Sequence, residues 1–411
     1  MGSGMGSGGS SRKAEASPII RKRLSRGSIR IVRTRSSAAY RKASPVLLDP
    51  TMRYRTLPQT DLSVSELAFG NFVFGTNWWG EFTDDDAVAL QNKAVERGVN
   101  FFDTAPAYGN GRSESLMKRT LADVGRDHVV LSTKLGYDFY KDPGEGGSHR
   151  ERKQDFSAEA VRFELELSLT RMGVETIDLY QAHNLKLPQM TEELFDTLDK
   201  LVEEGKLRAW GVALGPAIGW REEGHKSFLD RNAATVQTVF NLYEQDPGRE
   251  LCEIAAAQPD RRGVIARVPT NSGILDEEFT SPDHPFPKHD HRKFRDRNWL
   301  VYGLKKNEIV RGIAEELGTT VRRLAIRWLT TVPGMLSIEP NILSIDDLED
   351  YACAVEEGPI PEAVMQRLGA MYAENFGFGE AARPCDLKSS TAPEGAVASG
   401  YVAPGSPATV S

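Results

Sequence analysis

The 411-residue chain predicts an α/β fold class, a (β/α)8 TIM barrel, on three observations. Eight short apolar runs alternate with helical patterns, which implies a parallel sheet. Eight such units in roughly 320 residues match the size and strand number of that barrel. No G-x-G-x-x-G follows the first run, so the fingerprint of the competing doubly wound sheet is absent.

The elements follow in order. MRYRTLPQTDLSVSEL, before the first strand, reads as a short hairpin closing the barrel bottom. LAFGNF (67–72) leads into DDDAVALQNKAVERG, whose three amino-terminal acids suit the helix macrodipole. VNFFD (99–103) leads to SESLMKRTLADV, and HVVLSTK (128–134) leads through a polar loop to SAEAVRFELELSLTRMG, with Ser157 as cap. TIDLYQAH (176–183) precedes MTEELFDTLDKLVEEGK. LRAWGVAL (207–214), VQTVF (236–240) before LCEIAAAQ, GVIARVPT (263–270) and MLSIEP (335–340) complete the eight.

Composition limits the function classes. The chain is 40 % hydrophobic and 27 % charged, enough to build a core without staples. Cys252, Cys353 and Cys385 show neither metal-ligand spacing nor an even disulfide framework, which points to a reduced compartment. No apolar run reaches the ~18–20 residues that span a bilayer, so no membrane is expected. In residues 1–50, eleven Lys or Arg stand against Glu15 and Asp49, so with −7 overall the rest of the chain is strongly acidic. An acidic body argues against nucleic acid as a partner.

Residues 1–50 read as a disordered basic segment. The opening MGSGMGSGGS is linker-like, as a tag would be, and the Arg-rich, acid-poor remainder suits a transit peptide equally well. The expected location is the cytoplasm, or a plastid or mitochondrion if the arm is a transit peptide. Residues 381–411, rich in Pro, Gly, Ser and Ala, read as a disordered tail, leaving 51–380 as one barrel domain.

Three consecutive strands end in an ionisable residue: Asp103 after VNFF, Lys134 after VVLST and His183 after IDLYQA. In a parallel barrel all carboxyl ends of strands meet on one face, where active sites sit. A turn cap explains one such charge. Three complementary ones, with Tyr108 on the loop after the first, point to a general acid. A phenol titrates near 10 when unperturbed, and a Lys ammonium held by a buried Asp favours the phenolate that forms when its proton leaves. Tyr108 would protonate a carbonyl oxygen while hydride arrives at carbon, and His183 would aim that oxygen.

DTAPAYGNGRSE, STK ending at Lys134 and SLTRMGVETIDLYQAH ending at His183 resemble, in order and spacing, the signatures of the aldo-keto reductases. The resemblance covers about residues 52–380. It implies a barrel enzyme that binds NAD(P)H across the strand carboxyl ends and reduces a small-molecule aldehyde or ketone, with Asp103, Tyr108, Lys134 and His183 catalytic. It implies no metal; His284, His289 and His291 read as part of a polar loop. It further implies that Thr76, Gln237, Arg267, Asn341, Asp347 and Asp350 contact the nucleotide.

Several positions depart from the family pattern. Where the family has Ser-Asn after the fifth strand, this chain has Ala213 and Leu214, and Gln237 matches the other position that holds the nicotinamide amide. Arg267 stands where the family stacks an aromatic ring; its planar guanidinium can stack too, or can point at a barrel-end carboxylate. The family's I-P-G-x-x-x-x-x-Q-L-E-E-N segment appears as IEPNILSIDDLEDY, without Lys or Arg. Asp347, where NADP-specific members carry an arginine, and Asp346, Glu349 and Asp350 suit a ribose 2′-hydroxyl and repel a phosphate, so NADH is the favoured cofactor.

Two other classes compete. A nucleotide-binding sensor or regulatory barrel without turnover would not need the intact tetrad. A phosphate-substrate isomerase or lyase would need a Gly-rich phosphate loop after the last strands, and IDDLED is acidic. Substrate choice falls to loops such as LGYDFYKDPGEGGSHRERKQD and DEEFTSPDHPFPKHDHRK. No motif speaks to oligomeric state.

Overall fold

The computed structural model describes residues 51–76, 78–141, 152–215, 220–288, 290–379 and 390. The basic arm, His289 and nearly all of the tail lie outside the described residues, as does 142–151 within the first of the two specificity loops.

The hairpin is β1 (Tyr54–Thr56) with β2 (Ser63–Ser65), antiparallel. Eight parallel strands follow: β3 (Ala68–Gly70), β4 (Phe101–Asp103), β5 (Val130–Leu135), β6 (Ile177–His183), β7 (Leu207–Ala213), β8 (Thr235–Val239), β9 (Gly263–Arg267) and β10 (Met335–Glu339). Every strand read from the sequence is present. The sheet closes where Leu67 bridges Ile338 in parallel and the Ile338 N–H donates to the Glu66 carbonyl at 2.9 Å.

The helices are α1 (Phe72–Gly75), α2 (Asp84–Glu96), α3 (Arg112–Val124), α4 (Ala158–Met172), α5 (Glu192–Glu203), α6 (Arg221–His225), α7 (Gly248–Ala256), α8 (Arg297–Glu316), α9 (Val321–Thr331), α10 (Ile345–Glu356) and α11 (Glu362–Ala373). Local chemistry sets their starts. Thr83, Ser157, Thr191, Thr320 and Ser344 each cap a helix by accepting a backbone N–H with the side-chain oxygen, which satisfies a donor the helix itself cannot. The β9–β10 connection carries two long helices, α8 and α9, which the sequence reading does not assign.

Burial divides the apolar residues in two. Ala68, Phe101, Val130, Leu179, Ala209, Ala234, Ile265 and Leu336 fill the barrel interior, plugged from below by Leu57 and Val64 of the hairpin segment. A larger cluster packs the outer faces of the strands against the helices. Strands buried on both faces explain the continuous apolar runs in the sequence. They also leave the strand ends as the natural place for charge.

Candidate active site

The barrel interior changes character at its carboxyl end. Barrel side chains stack in layers of four from alternate strands. The top layer here is polar: Asp103 on β4, Gln181 on β6, Gln237 on β8 and Glu339 on β10. Gln181 Nε2 donates to Asp103 Oδ1 at 2.9 Å, Gln237 Nε2 donates to Glu339 Oε2 at 2.6 Å, and the Glu339 carboxyl lies close enough to feel the charge of Asp103. Ser132 Oγ also donates to Asp103 Oδ1, at 2.7 Å.

Lys134 sits against this layer. Its Nζ donates to Asp103 Oδ2 and, at 3.0 Å, to the Thr104 carbonyl, and it lies 4.9 Å from the centre of the Tyr108 ring. Lys134 and Asp103 are each 1 % exposed. Burial disfavours the ammonium, but the charge of Asp103, followed by Tyr108 and Glu339, outweighs it, so the lysine titrates above its ordinary value.

Tyr108 is placed by a close backbone approach. A Cβ on Gly75 would lie 2.5 Å from Tyr108 Cβ, so only glycine lets the Tyr108 loop rest on α1. The Tyr108 ring meets Phe72 edge-on at 5.0 Å and His183 edge-on at 5.8 Å. His183 is also packed by Tyr137 at 4.9 Å, whose hydroxyl accepts from Asn184 Nδ2 at 2.8 Å. Burial, with Lys134 and Arg267 nearby, pushes His183 well below its ordinary value and keeps it neutral. The structure therefore gathers all four predicted catalytic residues around one point.

The phenol differs from the sequence expectation in one respect. Burial pushes it up to about 12, and the pull of Lys134 does not overcome that, with Asp103 and Glu339 opposing it. Burial thus favours the protonated phenol at Tyr108.

The expected nucleotide contacts fall into two groups. Gln237 is buried in the top layer, while Thr76, directly after α1, has a buried hydroxyl without a partner among the described residues. Arg267 ends β9 and donates through Nη2 to the carbonyls of Leu214, at 2.8 Å, and Gly215, leaving its buried Nε without a partner among the described residues. Those carbonyls, rather than a carboxylate, hold its guanidinium. Asn341 lies in the loop after β10, and Asp347 and Asp350 lie on α10.

The acids of α10 do not stand alone. Arg322 of α9 reaches Asp347 at 3.2 Å, Asp350 at 3.4 Å and Asp276 at 2.8 Å, and Arg323 pairs with Asp350 at 2.7 Å. Asp347 Oδ2 also accepts from the Ser344 hydroxyl at 2.9 Å. The segment lacks basic residues, as the sequence shows, but a neighbouring helix supplies two.

Three residues placed at the site escaped the sequence reading. Glu339 and Gln181 belong to the polar layer, and Tyr137 wedges His183 in place. Glu339 carried a signal, since MLSIE ends an apolar strand in an ionisable residue just as VNFFD does. A roof also forms between loops: the His291 ring stacks on Trp78 at 4.9 Å, and the Arg292 guanidinium lies 4.9 Å from the Trp79 ring. His284 packs on Phe279 at 5.0 Å. Both described histidines of the PDHPFPKHDHRK stretch thus serve as ring partners in that loop.

Comparison with known proteins agrees with this geometry. The profile of the Aldo/keto reductase family matches residues 66–373. The chain is 27 % identical over 295 residues to aldo-keto reductase YhdN of Bacillus subtilis, covering 69 % of this chain and 82 % of that one. It is 25 % identical over 313 residues to the NADH-specific methylglyoxal reductase of Escherichia coli, covering 74 % and 94 %. The solved structure of a glycerol dehydrogenase from Gluconobacter oxydans superposes with a TM-score of 0.65 at 26 % identity, over 79 % of this chain and 96 % of that one. With the profile spanning most of the chain, this protein belongs to the aldo/keto reductase family and is an oxidoreductase of that kind.

Proposed function

We propose that the protein reduces the carbonyl of a small aldehyde or ketone, or oxidises the matching alcohol, using NAD(P)H and Tyr108 as proton donor. One observation carries this reading: a protonated phenol, a buried ammonium and a neutral imidazole surround a single point at the carboxyl end of the barrel. The bound nucleotide supplies hydride. The protein's residues manage the proton.

A carbonyl oxygen placed between Tyr108 and His183 would accept a hydrogen bond from the phenol and one from the neutral imidazole. As hydride adds to carbon, negative charge grows on that oxygen and the phenol proton moves to it. The phenolate left behind faces Lys134, whose charge Asp103 maintains. Lys134 thus acts on the transition state, where preorganised charge is most effective. The roof of Trp78, Trp79, His291 and Arg292 would keep water from one side of the mouth.

The residues present fit a nicotinamide nucleotide. The orphaned Thr76 hydroxyl and Arg267 Nε are buried polar atoms of the kind a polar ligand across the mouth would satisfy. Thr76, Gln237 and Arg267 would hold its reactive end, and Asn341, Asp347 and Asp350 its adenosine end. NADH is favoured over NADPH, because Arg322 is already shared among three carboxylates and a 2′-phosphate would have to displace one of them. The relative from Escherichia coli is named as NADH-specific, in line with this choice. No described helix is long and apolar enough to cross a membrane, and the described cysteines, Cys252 and Cys353, are free thiols, as suits a reducing cytoplasm.

The test is to incubate the purified chain with NADH or NADPH and a panel of aldehydes and ketones, following absorbance of the reduced nucleotide. Substrate-dependent oxidation is the expected result. Tight nucleotide binding with no turnover on any carbonyl or alcohol would instead favour a regulatory barrel.

A further inference from the structure

Glu339 has no part in the proton path just described, yet its carboxyl is closely fitted. Oε2 accepts from Gln237 at 2.6 Å, and the group shares the top layer with the Asp103 carboxylate, whose charge it feels. Position 70 is a glycine whose Cβ would lie 2.5 Å from Oε1, so a methyl on β3 would occupy the carboxyl's seat. The charged or titratable groups facing it are Asp103 on β4, Lys134 on β5, Arg267 on β9 and the Tyr108 phenol. Glu339 remains half-buried and ends β10, at the barrel end where, on the reading above, the nucleotide's reactive ring meets the carbonyl carbon.

We propose that Glu339 sets how the site discriminates reduced from oxidised nicotinamide nucleotide, keeping its proton with the reduced form and releasing it with the oxidised form. This rests on the nicotinamide-dependent reading above. The reduced ring is uncharged, whereas the oxidised ring carries a positive charge. Two carboxyls facing one another in one buried layer resist ionising together. With Asp103 balanced by Lys134, a second carboxylate in the layer is unfavourable until a cation lies above it. Binding of the oxidised form therefore releases one proton from the Glu339 carboxyl and moves no electrons. Hydride transfer is unchanged, and the new alcohol's O–H proton still comes from Tyr108.

The neighbouring groups leave Glu339 a clear window. Burial and then Asp103 push its carboxyl up to about 8, while His183 lies well below that range and the Tyr108 phenol is pushed up to about 12. The charge of the Glu339 carboxyl therefore changes between about pH 6.5 and 9, clear of both.

The test titrates the full chain with NADH and with NAD+ at about pH 6.5 and about pH 9, by quenching of protein fluorescence. In the parent, the ratio of the NAD+ to the NADH dissociation constant should fall roughly tenfold across that span, because one charge is gained beside one cation. In Glu339→Gln the ratio should be the same at both pH values. Glu339→Leu provides a second variant, and melting curves show which variants fold. A direct readout needs no variant: in weak buffer near pH 8, NAD+ binding to the parent should release protons and NADH binding should not. A flat parent ratio, a slope that survives in Glu339→Gln, or no proton release would overturn the proposal. If neither nucleotide binds, the functional reading falls and this proposal with it, whereas binding with a flat ratio removes only the role of Glu339.

Discussion

At the foot of the candidate active site, the Lys134 and Asp103 side chains are 1 % and 2 % exposed; on α9 and α10, Arg322 and Asp347 each keep 23 %. Both pairs join a base to an aspartate across different elements of one barrel. The buried pair has a fixed partner for nearly every polar atom, and removing either member would strand a charge away from water. The outer pair belongs to a network of Asp276, Asp350 and Arg323 that water can partly replace. Burial thus separates a fixed pair from one that solvent can exchange. The same chemistry does different work at the two ends.

Lys134→Met should break the comparison most severely. Leaving Asp103 buried and unpaired should cost about 3–5 kcal/mol of stability, measured by urea unfolding, together with carbonyl reduction. Asp103→Asn in the same chain should recover much of the stability and none of the turnover. Equal stability of Lys134→Met and parent would mean that water reaches the pair.

Tyr108→Phe should separate chemistry from packing. Turnover is expected to fall by roughly two to four powers of ten, with nucleotide affinity and melting temperature nearly unchanged, since the hydroxyl acts only in the chemical step. Turnover close to that of the parent would move the proton donor elsewhere.

The outer network should answer more mildly. Asp347→Asn frees Arg322 from one of its three carboxylates, so NADPH affinity should rise relative to NADH by up to about tenfold, read by fluorescence titration. If the parent already prefers NADPH, Arg322 or Arg323 must leave its carboxylate to meet the phosphate.

The smallest expected effect concerns pH. Burial pushes Glu164, on the outer side of the barrel, up to about 8, as it does Glu339. Each folded value lies above the ordinary 4.5, so the folded state binds more protons between the two values. Their contribution to stability is complete below about pH 4.5 and is lost as pH rises through about 8. Melting temperature should therefore decline from pH 5 to 8.5, and less steeply in Glu164→Gln. A parallel decline in that variant would assign the loss to other groups.

The contrast also explains what the sequence could disclose. All eight strands were legible because interior and exterior cores make each a short, mostly apolar run, and Asp103, Lys134 and His183 because an ionisable residue ends such a run. Glu339 obeyed the same rule, but MLSIEP was read for its resemblance to an adenosine-binding segment instead. The height of the Tyr108 titration was not legible, since it depends on how much water the loops exclude. Arg322 was missed because its partners lie 25 and 28 residues away on another helix and, at Asp276, on a loop. The specificity loops gave up only their composition. Contacts such as Arg292 over Trp79 join segments that no periodicity connects.

One consequence follows from the surroundings of Glu339. Asp103 is contributed by the second barrel strand and Glu339 by the eighth, and Gln237 lies 102 residues before the carboxyl it holds. During synthesis, the first strands emerge with Lys134 and Asp103 facing an open edge, and the layer beneath Tyr108 stays unfinished until the last strand docks beside the first. Such distant pairings close late and slowly. A chain cut short before residue 339 would carry the entire tetrad in its sequence and still lack the top layer's fourth side chain. Completion of the polypeptide is thereby written into the electrostatics of the site.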